Sequence, residues 1–261
     1  WEKPGPGYGP KYRSTVWAMT LLAQLGARAE ADERVAAACR YVLDHALTPL
    51  GQFSYNGRPA GTFDCLQGNL CWALTQLGCD DGRLLTAWEW MARSVTGEGV
   101  APAGDKQAAK SGAPGYSRYK CGPCFACGAN GSHPCAWGAV KVMLAFAAIP
   151  PRQRTPLIER AITAGVDFLL GVDPATAAYP TAAGRAPSRS WWSFGFPVFY
   201  VTDLLQLAEA LVSLGLAADA RLAGLLALVA SKQDSAGRWP LEYVYGSKTW
   251  GSFGRKGQPN K

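Results

Sequence analysis

Apolar residues recur along this chain at the spacing of helix faces, and no segment shows the sustained alternation typical of a strand. Leu84, Trp88 and Met91 form one such stripe, because residues three and four apart lie on the same side of a helix. Comparable stripes occupy residues 158–169, 201–212 and 222–229. The pattern predicts an all-α chain.

The predicted helices occur in pairs. The phrase Leu-x-x-Leu-Gly ends the first helix of three pairs, and its glycine suits the left-handed residue that often follows a helix. We therefore predict four helical hairpins. Their first helices are expected at about residues 14–26, 66–77, 135–148 and 198–214. Their second helices are expected at about residues 32–46, 82–94, 155–170 and 219–232.

Such hairpins cannot bury their apolar faces alone, so they must stack as an open solenoid or close into a barrel. Periodicity does not distinguish these two arrangements. The segment from Gln233 to Trp239, which follows the last hairpin, favours the barrel. It resembles the Q-x-x-x-G-x-W motif of squalene–hopene cyclases and their relatives, in which the glycine permits a tight turn and the tryptophan packs against helices.

With its four hairpins and repeated glycine phrase, the chain resembles the terpene cyclase and protein prenyltransferase superfamily. The resemblance implies an α/α toroid, with an inner and an outer ring of helices. It also implies a central cavity, which in that superfamily holds isoprenoid chains or cyclising terpenes.

The catalytic motifs of that superfamily are not intact in this sequence. The D-x-D-D motif of class II cyclases does not occur. Asp80 and Asp81 begin like the D-D-x-x-D motif of class I synthases but lack its last Asp, so an acidic helix start explains them better. Protein prenyltransferases bind zinc through a D-x-C motif, whereas Asp64 and Cys65 are adjacent. The resemblance therefore implies a fold and a cavity without a particular reaction.

A dense group of thiols is the sharpest local feature of the chain. A C-x-x-C-x-x-C run is followed by a histidine and a further cysteine. Zinc sites need four such ligands within tetrahedral reach, so we predict a zinc site here. An iron–sulfur or redox loop and a thiol-rich loop without metal are the alternatives. The predicted ligands are Cys121, Cys124, Cys127, His133 and Cys135.

Cys65 precedes the first helix of the second pair in the same way that His133 and Cys135 precede that of the third. In a toroid these residues approach one end of the cavity, where Cys65 becomes a further metal ligand. A small buried residue at a helix start is the alternative for Cys65. We expect Trp192 and Asp203 to share this end of the cavity.

Two carboxylates are candidate catalytic groups. Asp203 is expected one turn into an otherwise apolar helix, where a carboxylate is costly unless it is paired or faces a wet cavity. A structural role at a helix end is the alternative. Asp64 is the second candidate, and a toroid that acts on polysaccharide would need both carboxylates in one groove.

An aromatic segment leads into the first helix of the fourth pair. Aromatic faces can line an apolar pocket or stabilise a carbocation, and core packing is the alternative. The candidate substrate-binding residues are Trp137, Trp191, Trp192, Phe194 and Tyr200.

Composition limits the partners that the chain can have. Hydrophobic residues make up 48% and charged residues 17%, which predicts a sizeable core. The net charge is +7, but the basic residues are scattered, so no nucleic-acid partner is expected. The apolar runs are too short to span a bilayer. Several cysteines lie in apolar helical segments of a chain with a large core, which favours a reducing, cytoplasmic setting.

We expect one domain over residues 1–261, with a Cys-rich insertion at about 117–135 and further repeats missing at both ends. The residues after Trp1 resemble those that follow the closing tryptophan of the last hairpin. A toroid that lacks hairpins should show a gap, or exposed apolar strips on the helices at about 14–26 and 219–232.

Three functions are compatible with these features. The first expectation is a metal-assisted transferase or cyclase that acts on an isoprenoid or other apolar substrate in a central cavity. A non-catalytic helical repeat protein with a structural zinc loop would instead have a filled or shallow centre. A polysaccharide-active toroid enzyme is the third alternative.

Overall fold

The computed structural model describes residues 5–100, 122–182 and 185–259. Within these ranges the chain forms eight α-helices, short 3-10 turns and isolated bridges but no strand, which confirms the all-α prediction. The helices are α1 (Thr15–Gln24), α2 (Glu33–His45), α3 (Asp64–Gln76), α4 (Arg83–Thr96), α5 (Ala136–Ala148), α6 (Pro156–Leu169), α7 (Leu204–Ser213) and α8 (Ala223–Ser231). No helix in the described ranges combines the length and apolarity needed to cross a membrane.

The largest departure from the predicted bounds concerns the fourth pair. Its first helix was expected from residue 198, whereas α7 begins at Leu204. The side chain of Asp203 accepts a hydrogen bond from the backbone N–H of Gln206 at 3.0 Å and so caps the helix. Asp203 therefore precedes the helix, and its expected place one turn inside the helix is wrong. The second helix also starts late, because Ala220–Leu222 form a 3-10 turn before α8.

The first helices of the four pairs pack beside one another in chain order. Helix α3 packs most extensively against α5, α5 packs against α7, and α1 packs against α3. Gly68 permits the closest of these approaches, since a Cβ atom on it would lie 2.4 Å from the backbone of Lys141. Helices α4 and α6, which are second helices, also pack against each other.

Helix α1 also contacts the non-helical segment that leads into α7. The side-chain amide of Gln24 donates to the carbonyl of Val198 at 2.7 Å and accepts from its N–H at 2.8 Å. The rings of Trp17 and Phe199 meet edge to face, with centroids 5.4 Å apart. These contacts bring the start and the end of the row of first helices towards a shared interior.

The two helices predicted to carry exposed apolar strips differ from each other. Six of the ten residues of α1 are buried, whereas Leu25, which follows the helix, is 59% exposed. Helix α8 is almost wholly apolar but fully buries only Leu225.

Candidate functional site

All four first helices line one cavity of about 380 Å³, which we call the central pocket. Gln24 of α1, Trp72 of α3, Lys141 of α5 and Gln206 of α7 each contribute to its wall. The cavity lies at the lower end of the ~300–1,000 Å³ range of small-molecule sites. The packing of the first helices thus creates a site to which each hairpin contributes.

Lys141 is the most unusual residue in this pocket. It is the one charged residue of α5, and its side chain is only 2% exposed. Its ammonium group donates a hydrogen bond to the side-chain carbonyl of Gln206. Burial lowers the pKa of Lys141 to about 8, although the nearby Asp203, Cys65 and Glu209 favour the charged form. A lysine with this pKa can serve as a base or a nucleophile near neutral pH.

Asp203 lines the same pocket and is also only 2% exposed. Burial raises the pKa of its carboxyl group, and hydrogen bonds from Gln206 and the charge of Lys141 oppose that rise. Asp203 therefore combines a structural role, as the cap of α7, with a position in which it can exchange a proton with a bound molecule.

The rest of the central pocket is a mixed wall, in which apolar residues lie among the polar side chains of Thr20, Gln24, Asn69 and Gln76. Trp72, Leu144, Phe196 and Val198 form much of its wall. Glu209 lies exposed at the rim. The pocket thus offers an apolar surface on which polar groups converge at Lys141, the arrangement expected of a small-molecule site.

A second cavity of about 260 Å³, which we call the thiol pocket, lies at the starts of α3 and α5. Cys65, Cys127 and Cys135 line it together with Asp64. Asp64 is 4% exposed, and its Oδ2 atom has no hydrogen-bond partner in the described part of the chain. Burial raises the pKa of Asp64 well above its usual value, which favours the neutral acid.

Cys127 and Cys135 are held side by side by a short antiparallel pairing. The N–H of Cys127 donates to the carbonyl of His133 at 3.1 Å, and the N–H of Cys135 donates to that of Phe125 at 2.9 Å. The two thiols hydrogen-bond each other, and this bond and burial raise the pKa of Cys135. Two of the predicted metal ligands are therefore neighbours.

Of the other predicted ligands, Cys65 lines the same pocket, and the rest do not join this pair. Cys124 and His133 are exposed, and Cys121 lies outside the described residues. No three His, Cys, Asp or Glu residues in the described ranges are placed to hold a metal ion. These residues alone do not fit a zinc ion, so the zinc site stays a prediction. Metal analysis of the purified chain against its Cys127→Ser variant tests it.

The predicted aromatic residues are divided among several environments. Trp137 and Tyr200 line the thiol pocket, and Trp137 and Trp191 line an adjoining cavity of about 270 Å³. The indole N–H of Trp192 donates to the carbonyl of Ala175 at 2.9 Å, which anchors a loop. Phe194 is buried, and its ring lies 4.8 Å from the ammonium group of Lys232.

The structure places the candidate residues at two pockets. Cys65 and Asp64 line the thiol pocket, whereas Asp203 lines the central pocket. The late start of α7 explains part of this separation, because Asp203 caps the helix near Lys141. The sequence reasoning missed Lys141, although a lone charged residue within an apolar helix is a signal that could have identified it.

Comparison with known proteins finds no matching family model, no matching curated protein and no matching solved structure. The functional argument therefore starts from the geometry of the two pockets.

Proposed function

We propose that this chain is an α/α toroid, similar to the terpene cyclase and protein prenyltransferase superfamily, that binds a small, largely apolar molecule in its central pocket and acts on it by acid–base chemistry. The observation that carries the proposal is the lining of one pocket by all four first helices, with Lys141 and Asp203 buried in its wall.

The charges of the pocket restrict the ligand. Among the described residues that line it, one cation, Lys141, faces two carboxylates, Asp203 and Glu209. A diphosphate would bring several negative charges to a site in which carboxylates already outnumber the cation, and its desolvation would be unfavourable. A neutral molecule with an apolar body and one polar group is neither repelled by the carboxylates nor costly to desolvate. We therefore propose this class of ligand rather than a free prenyl diphosphate.

Asp203 and Lys141 supply the reactive groups. Burial raises the pKa of Asp203 and lowers the pKa of Lys141, so each group gains or loses a proton nearer to neutral pH than it would in water, and both line the pocket where a ligand binds. Trp72 and Leu144 would bind the apolar body of the ligand and exclude water from that chemistry. No step in this proposal uses a metal ion.

Calorimetric titration with 1-decanol and geranyl diphosphate tests the proposal. Leu144 lines the pocket and is 8% exposed, so Leu144→Trp should fill it and weaken decanol binding at least tenfold. Leu25→Trp is the matched control, because Leu25 is 59% exposed and is not part of the pocket wall. Equal binding by both variants, or a marked preference of the wild-type chain for the diphosphate, would contradict the proposal.

A further inference from the structure

Lys141 is buried without an ion-pair partner. Its amine donates to the neutral side chain of Gln206, and none of the ion pairs among the described residues involves Lys141. An ammonium group has three donors and is poorly solvated by one neutral acceptor. The surroundings therefore destabilise the ammonium form relative to water, which makes the neutral amine, whose lone pair is nucleophilic, easier to form.

The backbone fixes the position of this amine. Gly68 of α3 packs directly against the backbone at Lys141, so the residue cannot shift away from the pocket without separating two helices. Gln206 of α7 accepts a hydrogen bond from the amine. A nucleophile that is held on the wall of an apolar pocket is placed to attack a molecule bound there.

We propose that Lys141 forms an imine with an aldehyde or ketone group of the molecule bound in the central pocket. This inference rests on the proposed function and names its substrate class. A carbonyl group is neutral and polar, which agrees with the balance of charges in the pocket. Lysine amines in apolar surroundings are established nucleophiles towards carbonyl carbon.

The reaction is a condensation. The lone pair of the Lys141 nitrogen forms a bond to the carbonyl carbon, and a proton from the nitrogen passes to the oxygen to give a carbinolamine. The C–O bond then breaks, and the oxygen leaves as water with the second amine hydrogen. Asp203, whose pKa burial raises, can supply the proton that assists this departure and recover one from the nitrogen.

The charged and titratable groups that influence Lys141 come from two neighbouring helices. Asp203 and Glu209 lie at α7, and Cys65 lies on α3. They stabilise the ammonium form, whereas burial destabilises it and holds the pKa of Lys141 at about 8. The rate of adduct formation should therefore rise with pH up to about 8 and then level off.

Reductive trapping tests the inference. The chain is incubated with decanal and sodium cyanoborohydride, which reduces the imine to a stable secondary amine, and the modified lysines are located by peptide mass spectrometry. We expect one decyl group per chain at Lys141, and at least tenfold less on exposed lysines such as Lys248. An excess of 1-decanol should suppress the adduct, because it occupies the same pocket without a carbonyl group.

Two variants complete the test. Lys141→Arg and Lys141→Met should form no adduct at this position, and circular dichroism establishes that each variant folds. Decanol binding by the wild-type chain without an adduct at Lys141 would overturn the imine and leave the proposed function intact. Failure of both decanol and decanal to bind would overturn the proposed function itself. Trapping spread evenly over surface lysines would also overturn the inference.

Discussion

At the scale of single residues, the central pocket depends on two buried ionisable side chains whose surroundings favour their neutral forms. Lys141 is 2% exposed within an apolar helix, and Asp203 is 2% exposed at the start of another. Both residues are less stable in their charged forms than they would be in water. Burying such groups lowers the free energy of unfolding at pH values where they would be charged in water. This loss is measurable as a dependence of stability on pH.

Lys141 should make the chain more stable at alkaline pH. Its pKa is lowered from 10.5 to about 8 in the folded chain, so the unfolded chain binds more protons between these values. The free energy of unfolding should therefore rise from about pH 8 to 10.5, by roughly 3 kcal/mol relative to Lys141→Met. Urea denaturation of both chains across this range measures the difference. Parallel pH profiles would show that Lys141 is solvated like a surface lysine.

Asp203 should have the opposite dependence, because its folded pKa is raised. Between the unfolded pKa and that raised value the folded chain binds more protons, so wild-type stability should fall as pH rises, relative to Asp203→Asn. Asparagine keeps a capping oxygen, whereas Asp203→Ala also removes the cap. The alanine variant should therefore have a free energy of unfolding about 1 kcal/mol lower than that of the asparagine variant. Urea denaturation of the three chains, each followed over pH, separates the two effects. Equal stability of the two variants would argue against the capping role.

At the scale of elements, close contact between first helices builds the pocket. Helices α3 and α5 meet where Gly68 faces the backbone of Lys141, and a helix pair this close leaves no room for a side chain. The sequence pattern predicts both helices, but it does not indicate which helices contact each other. Gly68 was not selected as a contact from the sequence, because one glycine within a helix is also tolerated for other reasons.

Gly68→Ala should therefore separate α3 from α5. The new methyl group would lie 2.4 Å from the backbone of Lys141, and this overpacking should lower the free energy of unfolding by about 2 kcal/mol. Gly82→Ala is the matched control, because nothing lies within 4 Å of a Cβ atom at that position. Urea denaturation compares the two variants. A loss of the same size in both would mean that the α3–α5 contact is looser than the structure indicates.

At the scale of the whole molecule, the periodicity predicts four helical pairs, and the described residues contain them. What it misses is the non-helical segment of residues 198–203, whose apolar residues have helical spacing. Capping by Asp203 and the contact between Gln24 and Val198 hold this segment outside the helix. Both contacts depend on tertiary packing, which a local pattern does not contain.

The candidate site was predictable only in part, for the same reason. The sequence identifies Cys127, Cys135 and Asp203 as candidates, because clustered thiols and a carboxylate among apolar residues can be recognised from neighbouring positions in the chain. The pocket itself is formed by helices far apart in the chain, and the partnership of Lys141 with Gln206 spans 65 residues. Spacing along the chain cannot reveal such a partnership without the fold.

A crystal structure of the chain with bound 1-decanol would show whether the four first helices surround one ligand. The account predicts the first helices of the four pairs around one ligand, with the alkyl chain between Trp72 and Leu144 and the hydroxyl group beside Lys141 and Asp203. Decanol bound only in the thiol pocket, or first helices that form an open stack without a shared pocket, would contradict the account.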